Sequence, residues 1–146
     1  GRQEMEYGYC QIGYPVLDKN GYTDPSTENR WMISPNFMFA SRVSSSTDKV
    51  DFWAAVSRCK NYSETDTNGV TYNGWRMPTY AEMLLLDILQ NVSKSEIKEI
   101  TDRHRYWTAD PASNSAFRIL NPSGGTNGEN ASYAEVRCVR DIGRPL

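Results

Sequence analysis

The sequence predicts an α+β fold, with two main helices packed on a twisted antiparallel sheet and a long loop region. Three observations carry this. At 74–86, Gly-Trp-Arg-Met-Pro-Thr-Tyr-Ala-Glu-Met-Leu-Leu-Leu joins an extended arm to a capped, apolar helix. A segment with helical apolar spacing precedes it at 49–62, and a run of short strand-like segments follows from 105 to 142. At 146 residues the chain is of single-domain length, and it can bury roughly 70% of the surface its unfolded form exposes. One domain over 1–146 is expected, with residues 1–48 forming N-terminal strands and loops.

In chain order, residues 6–14 carry Tyr7, Tyr9, Ile12 and Tyr14 and read as one strand. Asn20-Gly21 and Asp24-Pro25-Ser26 mark turns. Residues 30–43 place Trp31, Ile33, Phe37, Phe39 and Val43 at odd positions, broken at Ser34-Pro35, which predicts two short extended pieces. Residues 44–48 read as a polar cap region. The first helix, at 49–62, sets Val50, Trp53 and Val56, then Phe52, Val56 and Cys59, at helical spacing, with Cys59 on the buried side. Residues 61–73 read as a loop with Asn68-Gly69 and Asn73-Gly74 turns.

Pro78 restricts Met77 to extended backbone. Thr79 with Glu82 three residues on is a capping box. The helix that follows, ending near Asn91, is too apolar to be a solvated face, so these residues read as core structure. A capping box at 93–96 predicts a short third helix over 94–103. Residues 105–108 and 115–120 read as strands. Residues 121–130 form a Gly/Asn-rich loop, and 133–142 reads as a closing strand. Along it, Val136, Cys138 and Arg140 fall on one face and Arg137, Val139 and Asp141 on the other.

Net charge is −2, from 16 basic and 18 acidic residues with no basic run. This argues against nucleic acid or a membrane surface as partner. No stretch approaches a membrane-spanning length and no signal peptide is present. Gly1 reads as an artificial start, with a leader or upstream domains removed, so export stays open. Aromatics at 12%, together with abundant Asn, Ser and Thr, suit an extracellular binding domain. The cysteines are Cys10, Cys59 and Cys138; the odd count leaves one thiol free or paired elsewhere. No C-x-x-C spacing occurs, which argues against a zinc site or a redox pair.

Catalytic signals are missing. His104, the one histidine, lies between Arg103 and Arg105 and reads as a surface residue. No Gly-x-Ser-x-Gly elbow, P-loop or dinucleotide fingerprint is present. No catalytic residue and no cofactor are expected.

Four motifs then occur in order: a helix bearing Cys59, Trp75-Arg-Met-Pro-Thr79, Tyr106-Trp-Thr108 and Arg137-Cys-Val-Arg140. Together they resemble the C-type-lectin-like domains of bacterial surface proteins, of the Legionella collagen-like C-terminal and Fibrobacter major paralogous types. Met77 stands where that pattern has Leu, and Thr108 where it has Ser. The segment Trp31-Met-Ile-Ser-Pro-Asn-Phe-Met-Phe-Ala-Ser41 resembles the stretch ahead of this domain in tip or adhesin-like pilins of Bacteroides-type fimbriae.

The resemblance implies a lectin-like core over 49–142, a disulfide between Cys59 and Cys138 with Cys10 left over, and an exported, cell-surface location. It implies a non-enzymatic adhesion module of a fimbria or pilus, a tip or accessory subunit, binding glycan or protein and meeting other fimbrial subunits, without inserting into a membrane. The alternatives are a purely structural surface domain without ligand, or a divergent relative of the formylglycine-generating enzyme, which shares the fold but uses a redox cysteine pair. Calcium-dependent lectins use Glu-Pro-Asn or Gln-Pro-Asp triplets. Leu120-Asn-Pro-Ser123 lacks those carboxylates, so no metal site of that kind is expected. Trp75, Arg76, Trp107, Arg137 and Arg140 read as structural. Any ligand is expected on a loop face bearing Asp110, Asn114, Asn121, Asn127, Glu129 and Asn130, whose polar groups match sugar hydroxyls, with Tyr133 as a stacking face.

Overall fold

The computed structural model describes residues 11–26, 28–41, 50–92, 106–111, 117–120, 129–130 and 134–143. Two α-helices and several short strands make up this part of the chain. The expected cap region at 44–48, the third helix at 94–103, His104 and Cys10 lie outside the described residues.

Of the strand expected over 6–14, residues 11–14 are described, and strand there is limited to β1 (Gln11–Ile12). It pairs parallel with β2 (Met32–Ile33), which follows a single 3-10 turn over Asn29–Trp31. β3 (Phe37–Phe39) comes after the Ser34-Pro35 break, so the two expected extended pieces are both present.

Helix α1 spans Phe52–Lys60, shorter at both ends than its apolar spacing predicts. Asp51 sets its start: with extended backbone, its carboxylate accepts the Ala54 N–H at 2.8 Å. Phe52, Ala55, Val56 and Cys59 face inward. Trp53 does not, being 63% exposed. Of the two overlapping apolar series, 52–56–59 is the buried stripe, and Trp53 lies one residue, about 100°, around the helix from it.

Residues 61–73, expected as a loop, contain a hairpin of β4 (Glu64–Thr65) and β5 (Thr71–Tyr72). Its turn is Asp66-Thr-Asn-Gly69. The Asp66 carboxylate accepts the N–H groups of Asn68 and Val70, each at 2.9 Å, and Gly69 takes the left-handed φ of +84° that closes the turn. The same Asp-x-Asn-Gly order at 18–21 makes the same turn, with Asp18 accepting from Asn20 and Tyr22.

β6 (Trp75–Arg76) is the extended arm, and helix α2 spans Tyr80–Val92. The capping box is formed in both directions: the Glu82 N–H donates to Thr79 Oγ1 at 3.1 Å, and the Thr79 N–H donates to Glu82 Oε1 at 3.0 Å. β7 (Tyr106–Pro111), β8 (Phe117–Leu120) and β9 (Glu129–Asn130) form an antiparallel sheet in that order. β10 (Val139–Asp141) lies between β3 and β6, antiparallel to both. The described strands thus fall into four small sheets, three antiparallel and one parallel.

The closing segment is regular strand only over its last three residues. Ahead of them, Ala134 bridges Val50 and Glu135 bridges Tyr106. Val136, Arg137, Cys138 and Val139 are all buried, so the expected alternation of inner and outer faces fails there. The segment has neighbours on both sides: the Ala40 N–H donates to the Cys138 carbonyl, and Arg137 Nε donates to the Ala40 carbonyl at 2.8 Å.

The main core gathers Phe52, Ala55, Val56 and Cys59 of α1 with Trp75, Met77, Trp107, Ala109, Val136 and Cys138. A smaller cluster of Met83, Leu86 and Tyr106 seats α2 against the β7 strand.

Candidate functional site

The expected loop face is described only in part. Asp110 lies in β7, and Glu129 and Asn130 form β9, so the three-stranded sheet brings these three positions together. In its register Trp107 pairs with Ile119 and Ile119 with Glu129, while Arg118 pairs with Asn130. The register shifts between Trp107 and Pro111, so Asp110 sits at an irregularity of the edge strand β7. Asn114, Asn121, Asn127 and Tyr133 lie outside the described residues.

What holds this sheet against the rest is well defined. The Trp107 N–H donates to the Glu135 carbonyl, and the Ala109 N–H donates to the Pro78 carbonyl, which ties β7 both to the closing segment and to the Pro78 arm. The Trp107 indole is 2% exposed; it meets Phe52 edge-on at 5.7 Å, and its Nε1–H donates to the Val50 carbonyl at 2.6 Å. Trp75 is 3% exposed, donates to the Tyr72 carbonyl at 2.8 Å and meets the Tyr62 ring at 5.3 Å. Both indoles are buried with a satisfied N–H, as core tryptophans require.

Cys59 and Cys138 form a disulfide, with Cα atoms 5.5 Å apart and 79 positions apart in sequence. It staples α1 to the closing segment within the main core.

Below the arm lies a buried charge network that the sequence reading did not contain. Arg76 donates to Glu82 through two parallel bonds, Nη1 to Oε1 and Nη2 to Oε2, each 2.8 Å. It donates to Asp141 through Nε at 3.1 Å and Nη2 at 2.9 Å. Glu82 also accepts the Ser34 N–H at 3.0 Å. Burial alone would push the Arg76 guanidinium down; the bonds and charges of Glu82 and Asp141 outweigh it and hold it above its ordinary value. One carboxylate therefore caps α2, pairs the arm and pins the strand break after β2. The signal available in sequence was the capping-box glutamate itself. Its further partners are set by tertiary placement, Asp141 being 65 positions from Arg76.

The network is fully paired and 3% and 0% exposed at its Arg76 and Glu82 side chains, which makes it a structural element and not reaction machinery. Among the described residues no three His, Cys, Asp or Glu side chains gather to hold a metal, and no helix is long and apolar enough to cross a membrane.

No protein-family model matches the chain. The chain is similar to two Porphyromonas gingivalis proteins named major fimbrium tip subunit FimD, at 27% identity over 152 aligned positions. The alignment takes in 88% of the chain but 22% of each relative, so the chain spans about a fifth of the length of the curated proteins it matches.

Proposed function

We propose that this chain is a non-enzymatic module of an exported surface fimbria, a tip or accessory subunit that meets other fimbrial subunits and binds a glycan or protein through its loop face. The single observation that carries the reading is the similarity to fimbrium tip subunits across most of the chain. The reading of a C-type-lectin-like fold belongs to the same proposal. Its support is the run of four motifs, the α+β composition and the disulfide joining the first helix to the closing segment.

Such a module needs a rigid base below adaptable polar loops. The base is supplied by the stapled core and by the Arg76–Glu82–Asp141 network. What supports the loop-face reading is that Asp110, Glu129 and Asn130 belong to strands of one sheet, with the Asn/Gly-rich stretch 121–128 just ahead of Glu129 in sequence.

Two measurements test it. Antibody against this chain should label isolated fimbriae in electron micrographs and co-purify other fimbrial subunits; unlabelled fimbriae would remove the assembly role. Replacing Asn121, Asn127, Asn130 and Tyr133 together with Ala should abolish adhesion of the assembled protein while leaving folding intact. Adhesion equal to the unmutated protein, with folding verified by circular dichroism, removes the loop face as the binding surface.

A further inference from the structure

A cleft of about 470 Å³ opens beside β6, and Lys60, Asn73, Trp75, Arg76, Arg140 and Asp141 are among its walls. This volume is within the range of small-molecule sites. Its charge is uneven. Three cations, Lys60, Arg76 and Arg140, face one carboxylate, Asp141, and both Asp141 oxygens already accept from Arg76. The other two cations are held in place without being neutralised. Lys60 Nζ sits 4.7 Å over the Tyr22 ring, and the Arg140 guanidinium sits 5.4 Å over Tyr72 while its Nε donates to the Asn73 carbonyl. Among the described residues, Lys60 Nζ and the terminal nitrogens of Arg140 donate no hydrogen bond, so both present spare charged donors to the cleft.

The rest of the wall is open and mostly apolar in area, Leu17 and Trp75 included, and it carries two polar side chains. The side-chain amides of Asn20 and Asn73 are exposed and unbonded among the described residues, and each offers both a donor and an acceptor. Gly21, Gly74 and Gly143 line the cleft with left-handed φ of 82°, 78° and 72°. A Cβ built on any of the three would meet no atom within 4 Å, so their backbones border open space.

From this we propose that the cleft is a second binding site, distinct from the loop face, and that its occupant is a sugar bearing a carboxylate. The two fixed cations would take the carboxylate, with Arg140 suited to a planar oxyanion. The amides and the uncovered glycine backbones would take the hydroxyls. Each amide offers a donor and an acceptor, as a sugar hydroxyl does in return, and the probes below separate the sugar from a peptide carboxylate.

The test is a titration of the ¹⁵N-labelled chain, followed by amide shifts, with D-glucuronate, D-glucose and N-acetyl-glutamate amide as probes. The expected result is a saturable shift at Gly21, Asn73, Gly74 and Gly143 with glucuronate alone. Lys60→Gln, at an exposed position, should weaken it at least threefold, and Lys60→Gln with Arg140→Gln at least tenfold. Glucose shifting the same amides equally, the glutamate probe binding as well as glucuronate, or no shift at these four residues would each overturn the proposal. Because none of the loop residues is altered or read, failure here leaves the loop-face reading untouched.

Discussion

Arg76 and Glu82 meet side by side, two N–H···O bonds of 2.8 Å joining a guanidinium and a carboxylate that are both out of solvent. Burying two charges is costly, and the cost is met only while each has its partner. Glu82→Ala would strand Arg76 with Asp141 alone and would also leave the Thr79 and Ser34 N–H groups without their acceptor. The expected loss is about 3–5 kcal/mol in urea denaturation. The double variant Arg76→Met, Glu82→Met should lose clearly less than the sum of the two single variants. Additive losses would show that the two side chains stabilise the fold independently.

The disulfide closes a long loop, and in the chain-entropy account its removal costs about 4 kcal/mol. Cys59→Ala with Cys138→Ala should therefore lower the urea midpoint strongly. A non-reduced digest of the unmutated protein should yield the two peptides as one linked species. Their recovery solely as separate thiol peptides would refute the bond.

Two tryptophans on adjacent elements should behave in opposite ways. Trp107→Ala removes a buried ring and one of the two hydrogen bonds to the Val50 carbonyl, for an expected loss of about 3–5 kcal/mol. Trp53→Ala, at a 63% exposed position, should stay within about 0.5 kcal/mol. Thermal melts of both variants check the pair; similar losses would contradict the burial pattern of α1.

Glu64 accepts from the Ser41 N–H, the Ser41 hydroxyl and the Tyr62 hydroxyl. Partial burial pushes its carboxyl up, but those bonds and the Arg137 charge outweigh it, and the net shift is downward. A carboxyl whose folded pKa lies below its unfolded value stabilises above the unfolded value, about 4.3, and loses that stabilisation as pH falls through the folded one. Glu64→Gln should therefore lower Tm at pH 6, and the gap to the unmutated protein should narrow by pH 3. A gap of the same size at both pH values would show that Glu64 ionisation contributes nothing.

What the sequence disclosed was local or repetitive chemistry. The Thr79–Glu82 box was readable because its two partners lie three residues apart, and both bonds are present. The turns at 18–21 and 66–69 were flagged by Asn-Gly, although the carboxylates of Asp18 and Asp66 that organise them were not singled out. The hairpin between residues 64 and 72 was missed because each strand is two residues long, too short for any period to show. Burial at Trp75, Arg76, Trp107 and Arg137 agrees with the structural reading of those residues, whereas Arg140 is half-exposed and faces a cleft. The choice between Trp53 and Phe52 as the buried ring was open because both apolar series fit one helix, and packing against Trp107 selects Phe52. Of the loop face, Asp110, Glu129 and Asn130 are seen in a common sheet, and that pairing of distant segments has no signature in local sequence.

The bond between Cys59 and Cys138 also determines how the chain carries load. A pull transmitted along the backbone enters the bonded ring at one sulfur and leaves at the other, so the residues numbered between them are excluded from the path of tension. The hairpin, the Pro78 arm, α2 and the β7–β9 sheet all belong to that sheltered stretch. Under shear, the tension falls on the segments outside the ring, the β1–β2 pair and the pairing of β3 with β10, while the sheet bearing Asp110, Glu129 and Asn130 stays off the path of force for as long as the bond stays oxidised.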